Sequence, residues 1–341
     1  MTSSVSPRDK LKTKPAPQLK DLYENIQSDL DLVEKRLRSY SSSSSNQLIA
    51  EIGTYLFQKS GKRLRPALVI LCSKLFDYEG SDHIFMSALV ELIHTASLIH
   101  DDIIDNSDRR RGDQTVHERW GPNITVLLGD YLYIKSIGLS LRANYEKVNM
   151  ILTDVTTSMI EGELTEYYLS GNLEITEPQY LEIIDKKTAS LFSASCKIGG
   201  ILGKASAEEE QSLIDYGTNL GLAFQIIDDL LDFTGDEKIL GKPVLSDLSE
   251  GRITLPLICS LSRADRAERQ RLAGILKRRE LDRTEREMIL DIVRANGALE
   301  YAHQKAEEFS LKSQEIIARF PDSPHRETLT SLAEFVVKRN R

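Results

Sequence analysis

Apolar residues recur at three- and four-residue steps through most of this 341-residue chain. That period places them along one face of an α-helix, whereas a half-buried strand needs strict alternation, and no convincing alternating run is present. Breaks fall at glycine-containing stretches such as 120–123 and 170–172. The sequence therefore predicts an all-α bundle of roughly ten or more helices. The periodic segments are 19–37, 48–57, 67–76, 84–104, 124–141, 148–169, 180–202 and 213–233.

Composition predicts how the chain divides into domains. Residues 1–18 carry Lys, Pro and Ser without an apolar core, so we expect a disordered tail there and not a secretory signal. The serine run at 41–45 indicates a flexible joint after a leading helix. No Pro/Gly-rich linker follows it. Residues 19–341 are therefore predicted to form a single all-α domain.

Charge and cysteine content disfavour several function classes. The net charge is −8, with 52 acidic against 44 basic residues, which argues against nonspecific nucleic-acid binding through a basic surface. The three cysteines are far apart and form no CxxC pair, so neither a disulfide framework nor a zinc site is expected, and a reducing, cytoplasmic location is indicated. No stretch approaches the ~20 uninterrupted apolar residues that span a bilayer, so we expect no transmembrane segment.

Two acidic clusters share one pattern, HDDIID at 100–105 and IDDLLD at 227–232. At helical spacing the first and last carboxylates of each cluster lie on one face, one turn apart, where like charges repel. Their apolar flanks do not fit a solvated helix face, so we expect a cation between the clusters. Carboxylates without His or Cys partners suit Mg²⁺, which combines one or two carboxylates with phosphate oxygens. A phosphorylated substrate is therefore predicted.

Two other uses of such carboxylates fit less well. An EF-hand loop would need glycine and glutamate at fixed positions, whereas Leu230 and Leu231 occupy would-be ligand positions. Glycoside hydrolysis uses one carboxylate at each position and not two triplets.

Basic clusters supply the anion-binding side. The guanidinium group of Arg binds phosphate oxygens in pairs and the ammonium group of Lys supplies a compact positive charge, so these clusters could bind two diphosphates. Lys62 and Arg65 stand at a turn that opens an apolar helix, where backbone amides also favour anions. For Arg63, Arg109 and Lys186, surface solvation is the favoured interpretation. The clusters lie at 61–66, 109–112, 186–187, 241–242 and Arg252.

A set of ordered motifs carries a family resemblance. They are GKRLRP at 61–66, LIHTASLIHDDIIDNSDRRRG at 92–112, LLGDYL at 127–132, EGE at 161–163, KTA at 187–189, AFQIIDDLLDFTGD at 223–236 and LGKPVLSDLSEGRITLP at 240–256. Through them the chain resembles the trans-isoprenyl diphosphate synthases over roughly 48–261. The resemblance implies an all-α bundle with a deep central cavity, a homodimer, and condensation of isopentenyl diphosphate onto an allylic diphosphate.

The resemblance also implies residue roles. The acidic side chains would hold Mg²⁺, three ions with substrate bound, with Asp101, Asp105 and Asp228 as direct ligands. Arg252 stands where the family usually has Lys, and Ser60 and Leu245 stand where Gly is common. The acids are Asp101, Asp102, Asp105, Asp228, Asp229 and Asp232; the isopentenyl diphosphate contacts are Lys62, Arg65, His94 and Arg111; the allylic contacts are Arg110, Lys187, Thr188, Gln225, Lys242 and Arg252.

A mechanism follows from these charges. Cationic groups stabilise the diphosphate as it leaves, the allylic cation is attacked by the isopentenyl double bond, and a proton is lost. The departing diphosphate is the expected base. His94 is expected to contact phosphate, and His100 to serve in helix packing.

Product length is predicted from the residues four and five positions before Asp101, which lie one helical turn below the metal site. They are Ser97 and Ala96, both small. In the family, bulky aromatic residues there close the tunnel early, so we expect a long-chain, octaprenyl-type product that draws the protein to membranes peripherally. A plug further down would instead give a farnesyl or geranylgeranyl product.

Two further alternatives are disfavoured. A class I terpene cyclase shares the first acidic motif but carries an Asn/Ser-containing second one, whereas here the second is another DDxxD. A noncatalytic subunit would have lost acids from one cluster, and none is missing.

Overall fold

The computed structural model describes residues 18–42, 44–59, 61–110, 112–143, 145–235, 244–276 and 281–339. Almost all of the predicted tail lies outside the described residues, and the boundary between tail and catalytic domain stays a prediction. Arg111 and Lys242, among the predicted site residues, also lie outside the described part of the chain.

The described chain is helical almost throughout, which confirms the all-α prediction. The described ranges contain one antiparallel hairpin of two short strands, β1 (Arg109–Arg110) and β2 (Asp113–Gln114). A 3₁₀ turn at Glu24–Ile26 separates the first two helices, and a π-helical turn at Asp185–Ala189 joins α9 to α10. The helices are α1 (Leu19–Leu22), α2 (Gln27–Ser42), α3 (Gln47–Leu56), α4 (Leu64–Lys74), α5 (Asp82–Ile104), α6 (Val116–Trp120), α7 (Pro122–Arg142), α8 (Glu146–Tyr168), α9 (Glu177–Ile184), α10 (Ser190–Leu202), α11 (Ala207–Thr234), α12 (Ser246–Ser249), α13 (Leu255–Arg263), α14 (Arg266–Leu276), α15 (Arg283–Ala295), α16 (Ala298–Ile317) and α17 (Pro324–Lys338).

Local sequence signals set the helix starts. Ser206 caps α11 by accepting from the Glu209 amide, while the Glu209 carboxylate accepts from the Ser206 amide, so two otherwise unpaired amides are satisfied. Helix α7 begins at Pro122, whose fixed φ suits a first helical position. Gly121 before it has φ 86°, a conformation that favours glycine.

The packing of two long helices places the acidic clusters. Helix α5 packs against α4 and α7, and α11 packs against α10 and α16. The first cluster lies at the carboxyl end of α5 and the second at the carboxyl end of α11. Both ends meet one central cavity, as the family resemblance implies.

Two helices, α5 and α7, are long and apolar enough to meet the criteria for a membrane span. In the most apolar 18-residue stretch of each helix, 67% of α5 and 33% of α7 is buried inside the protein. Mostly buried core helices of soluble proteins pass the same test, so the expectation of no transmembrane segment stays a prediction.

Candidate active site

The central cavity has a volume of about 490 Å³ and receives side chains from α4, α5, α8, the π-helical turn and α11. We call it the main cavity. Carboxylates and cationic groups both face it, which is the composition expected of a site for a metal-bound anion. The predicted site residues that line it are Lys62, Arg65, His94, Ser97, Asp101, Asp105, Arg110, Lys187, Thr188, Gln225, Asp228, Asp229 and Arg252.

In the first acidic cluster, Asp101 faces the main cavity from the last turn of α5. Burial raises the pKa of Asp101 to about 7, against the opposing charge of Lys187. The neighbouring carboxylates of Glu163 and Asp105 raise this pKa further. A carboxylate in such surroundings is stabilised by an added cation.

Asp102, the middle residue of this cluster, lies outside the main cavity lining and is 4% exposed. Arg110 Nε of strand β1 donates to its Oδ1 at 2.6 Å. Burial raises the pKa of Asp102 while Arg110 lowers it. This ion pair ties the β-hairpin to the end of α5.

Arg252 connects the first cluster to the chain that follows the second. Its Nη1 lies 2.7 Å from Asp105 Oδ1, and its Nη2 lies 2.8 Å from Asp247 Oδ1. Nη2 also pairs with Glu250. Burial lowers the pKa of Arg252, but Asp247, Asp105 and Glu250 outweigh it and hold the pKa above its usual value. A planar guanidinium reaches several carboxylates in a way that a Lys ammonium does not, which accounts for Arg at this position.

In the second acidic cluster, Asp228 faces the main cavity and its side chain is 41% exposed. Arg339 Nη2, just after the last helix, lies 2.8 Å from Asp228 Oδ1. The Arg339 guanidinium stacks 3.9 Å from the centre of the Phe224 ring and donates to the Phe224 carbonyl at 2.7 Å. A side chain near the end of the chain thus contacts a predicted metal ligand.

The other two aspartates of this cluster are buried and accept hydrogen bonds from neighbouring groups of the protein. Asp229 accepts from the Tyr180 hydroxyl at 2.6 Å and from Gln225 Nε2 at 2.8 Å. Burial raises the pKa of Asp229 well above its usual value. Asp232 accepts from Ser246 Oγ at 2.7 Å and from the Asp247 amide at 3.1 Å, so it caps α12.

Lys187 and Thr188 lie on the π-helical turn. Gly162 of α8 permits this turn to approach, since a Cβ there would lie 2.8 Å from the Lys187 amide nitrogen. Lys187 Nζ is 2.5 Å from both Glu163 Oε2 and Glu166 Oε2. Burial lowers the pKa of Lys187, but the surrounding carboxylates raise it above its usual value. Such bulges are frequent at functional sites.

Thr188 Oγ1 donates to Gln225 Oε1 at 2.8 Å, so the π-helical turn and α11 are joined beside the second cluster.

A second basic group lies at the start of α4. Arg65 Nη1 is 3.1 Å from His94 Nε2, and the Arg65 guanidinium stacks 4.6 Å from the centre of the Phe192 ring. Burial lowers the pKa of Arg65 to about 10, so the side chain remains charged at neutral pH. Lys62 lines the same cavity from an exposed position. The contacts of this group differ from those of the cations around Asp105 and Asp101, and the charge of Asp228 acts on Arg65.

The predicted chain-length residues have different surroundings. Ser97 lines the main cavity and also a side cavity of about 180 Å³, whereas Ala96 is fully buried and lines neither. The two cavities share Ser97, Asp101, Met159 and Lys187. Tyr133, whose ring centre is 5.8 Å from that of His100, also lines the side cavity. His100 Nε2 lies 3.1 Å from the Val126 carbonyl, a contact in keeping with helix packing.

Sequence reasoning missed several functional neighbours. The solvated interpretation of Arg63 was wrong, because Arg63 is 8% exposed and pairs with Glu34 and Glu91. Glu163 belongs to the EGE motif, which could have identified it, and Glu166 lies nearly one turn further along the same helix. Nothing in the sequence singles out Arg339.

The donor set fits a magnesium ion. Asp101, Asp105 and Asp228 all face the main cavity, and oxygen donors of this kind are the ligands that Mg²⁺ prefers. A compact group of potential ligands also lies elsewhere in the described part of the chain, where atoms of Asp108, His117 and Glu118 fall within 4.8 Å of one another. That group does not line the main cavity.

Comparisons with known proteins agree with this geometry. The model of the polyprenyl synthetase family matches residues 46–293. The chain is 38% identical over 295 residues to the octaprenyl diphosphate synthase of Escherichia coli (strain K12), covering 86% of this chain and 91% of the relative. It is also 38% identical over 313 residues to the short chain isoprenyl diphosphate synthase of Methanothermobacter thermautotrophicus, covering 91% and 96%. The crystal structure of a polyprenyl synthase from Caulobacter crescentus CB15, complexed with calcium and isoprenyl diphosphate, superposes with a TM-score of 0.90 at 33% identity, covering 96% of this chain and 99% of that one.

Proposed function

The chain belongs to the polyprenyl synthetase family and is a prenyltransferase, and from that premise we propose that it condenses isopentenyl diphosphate onto an allylic diphosphate to make a long-chain polyprenyl diphosphate. One observation carries the proposal. The main cavity is lined both by carboxylates, among them Asp101, Asp105 and Asp228, and by a basic group around Arg65. Arg65 contacts His94, whereas Lys187 is paired with carboxylates of α8, so we infer that the cavity binds two diphosphates.

The part of the main cavity around these carboxylates is proposed to bind the allylic diphosphate. Asp101, Asp105 and Asp228 would hold Mg²⁺, which supplies positive charge to the diphosphate oxygens as the allylic carbon–oxygen bond breaks. Asp101 supports this assignment, because its raised pKa marks a carboxylate that gains from a nearby cation. The number of ions, three in our proposal, is part of this assignment.

Side chains around these carboxylates complete the allylic site. Lys187 and Arg252 are held by partly buried carboxylates and would stabilise the charge that develops on the leaving diphosphate. Arg110, Thr188, Gln225 and Lys242 are proposed as further contacts.

The basic group at the start of α4 is proposed to bind isopentenyl diphosphate. Lys62 and Arg65 would hold its phosphates, with His94 orienting the Arg65 fork through their 3.1 Å contact. Arg111 is proposed as a further contact. Held there, the isopentenyl double bond can attack the allylic carbon, which leaves a cation on the isopentenyl unit. The carbon next to that cation then loses a proton to the departing diphosphate, and a new double bond forms.

A long product is supported by the small side chain of Ser97 between the main and side cavities. Ile160 and Leu164, which line the side cavity, are exposed apolar residues on α8, so a growing chain can leave the bundle there. One observation favours a short-chain product instead. Tyr133 lines the same side cavity and would stop a chain whose path ends at its ring.

We propose a homodimer on the basis of an exposed apolar face. Leu127, Ile134 and Leu141 recur at heptad spacing on α7 and are 69%, 71% and 56% exposed. Helical faces of this kind normally pack against a partner. A cytoplasmic location is proposed from three free and buried cysteines, which suit a reducing compartment.

The test is incubation of purified protein with isopentenyl diphosphate, farnesyl diphosphate and Mg²⁺, followed by mass analysis. We expect products longer than geranylgeranyl diphosphate, and shorter ones from Ser97→Phe because the ring closes the passage to the side cavity. Failure to elongate overturns the condensation. A wild-type product that stops at geranylgeranyl diphosphate or earlier overturns the long-chain assignment alone.

A further inference from the structure

Arg63 lies between two other cavity-lining cations, Lys62 and Arg65, at the start of α4, and lines the main cavity with them. Its backbone is left-handed, with φ 50° and ψ 33°, a conformation that is unfavourable for a residue with a Cβ. Its side chain is 8% exposed. A strained and buried cation between Lys62 and Arg65 requires contacts that hold it there.

One buried and one partly buried carboxylate provide those contacts. Glu34 Oε1 of α2 accepts from Arg63 Nε at 2.5 Å, and Glu91 of α5 accepts from Arg63 Nη1. The side chains of Glu34 and Glu91 are 14% and 5% exposed. One guanidinium held between two carboxylates from different helices has little freedom to rotate.

The same leading part of the chain also fixes the backbone before Arg63. The Tyr23 hydroxyl donates to the Lys62 carbonyl at 3.2 Å, and Tyr23 is 5% exposed. On the other side, the Arg63 carbonyl accepts from the Ala67 amide at 3.0 Å, the first hydrogen bond of α4. The turn is thus held by the leading helices on one side and by α4 on the other.

The turn determines where two cavity-lining cations lie. Lys62 precedes Arg63, and Arg65 follows it in the first turn of α4. The Arg65 guanidinium is fixed by Phe192 and His94, and Glu91 supplies nearby negative charge to it. A shift of the Arg63 backbone would therefore move Lys62 relative to a fixed Arg65.

We propose that Glu34 and Tyr23 are positioning residues for isopentenyl diphosphate, because they lock the turn that sets the spacing between Lys62 and Arg65. This inference rests on the proposed function. Both residues precede position 46, where the match to the polyprenyl synthetase family begins, so the family motifs do not contain them. Residues 19–42 thereby become part of the substrate site without touching the substrate.

The test compares Glu34→Gln with Asp29→Asn. Asp29 is a matched control, because it lies on the same helix, is 16% exposed and pairs with Lys74 of α4 at 3.0 Å instead of with Arg63. We expect Glu34→Gln to raise the KM for isopentenyl diphosphate about tenfold, the loss typical of one charge-assisted hydrogen bond, with kcat and the allylic KM changed less than about twofold. Asp29→Asn should lower Tm and leave both KM values unchanged.

Tyr23→Phe is the milder variant and keeps the assay informative if Glu34→Gln folds poorly. Removing its hydroxyl should raise the KM for isopentenyl diphosphate about threefold, and calorimetric titration with isopentenyl diphosphate should show the same ordering of Kd. The inference is overturned if a variant changes the KM for isopentenyl diphosphate and the allylic KM equally, or if neither Glu34→Gln nor Tyr23→Phe changes either KM. As long as the wild type is active, the proposed function is unaffected by those results. An inactive wild type overturns both.

Discussion

The two acidic clusters have the same spacing of aspartates but differ in what their aspartates contact. In the first cluster, Asp101 and Asp105 both line the main cavity. In the second, Asp228 and Asp229 line it, whereas Asp232 accepts hydrogen bonds from Ser246 and the Asp247 amide. The first copy of the pattern thus presents its first and last carboxylates to the cavity, and the second uses its last carboxylate to cap α12.

The middle aspartates of the two clusters also differ in the groups that they contact. Asp102 pairs with a charged group, Arg110, on the β-hairpin. Asp229 accepts from two neutral donors, Tyr180 and Gln225. The first cluster is therefore linked to the β-hairpin through an ion pair, while the second is built into the packing of α9 against α11. Identical motifs need not contribute equally to metal binding.

The largest effect is expected at the first cluster. Asp101→Asn preserves shape but removes a charge of the proposed Mg²⁺ site, so kcat should fall by about a thousandfold or more, as when a central electrostatic contact of a transition state is lost. Steady-state assays with isopentenyl and farnesyl diphosphates measure it, and thermal unfolding should show a Tm no lower than that of the wild type. Asp154→Asn, an exposed acid on α8, is the control and should be fully active.

Turnover close to wild type in Asp101→Asn would remove the metal role from the first cluster. Asp228 of the second cluster would then be the main Mg²⁺ ligand.

Sequence reasoning predicted this contrast only in part. The helical period placed a helix at 84–104, and the structure has Asp82–Ile104, because apolar residues recur at helical steps throughout that segment. The run predicted at 180–202 is divided by the π-helical turn at 185–189, a single wide turn that a 3.6-residue period cannot distinguish. Partners such as Ser246 for Asp232 depend on where the chain folds back, which no local pattern encodes.

An intermediate effect is expected at Asp232. Asp232→Asn keeps the shape but turns one acceptor into a donor that faces the Asp247 amide and Ser246. The variant should lose about 1–3 kcal/mol of unfolding free energy, the usual cost of an unsatisfied buried group. Urea unfolding measures the loss.

The activity of this variant separates the two clusters further. Its kcat should fall only about tenfold, through displacement of Asp247 and Arg252, and its Mg²⁺ half-saturation concentration should match that of the wild type. A strong increase in that concentration would mean that Asp232 binds metal, and the second cluster would then match the first.

The smallest effect is expected at Arg339, which pairs with Asp228 across the second cluster. Its guanidinium already neutralises the carboxylate that Mg²⁺ would use, so the ion must compete with it. Arg339→Gln should therefore lower the Mg²⁺ half-saturation concentration about threefold, a change within the range of one partly exposed ion pair. Arg339→Lys, which keeps the charge, is the control, and the Mg²⁺ dependence of the initial rate is the measurement. An increase in the half-saturation concentration would show that Arg339 orients Asp228 for the metal. Asp228 would then depend on Arg339 as Asp105 depends on Arg252, and the contrast between the clusters would reduce to Asp232.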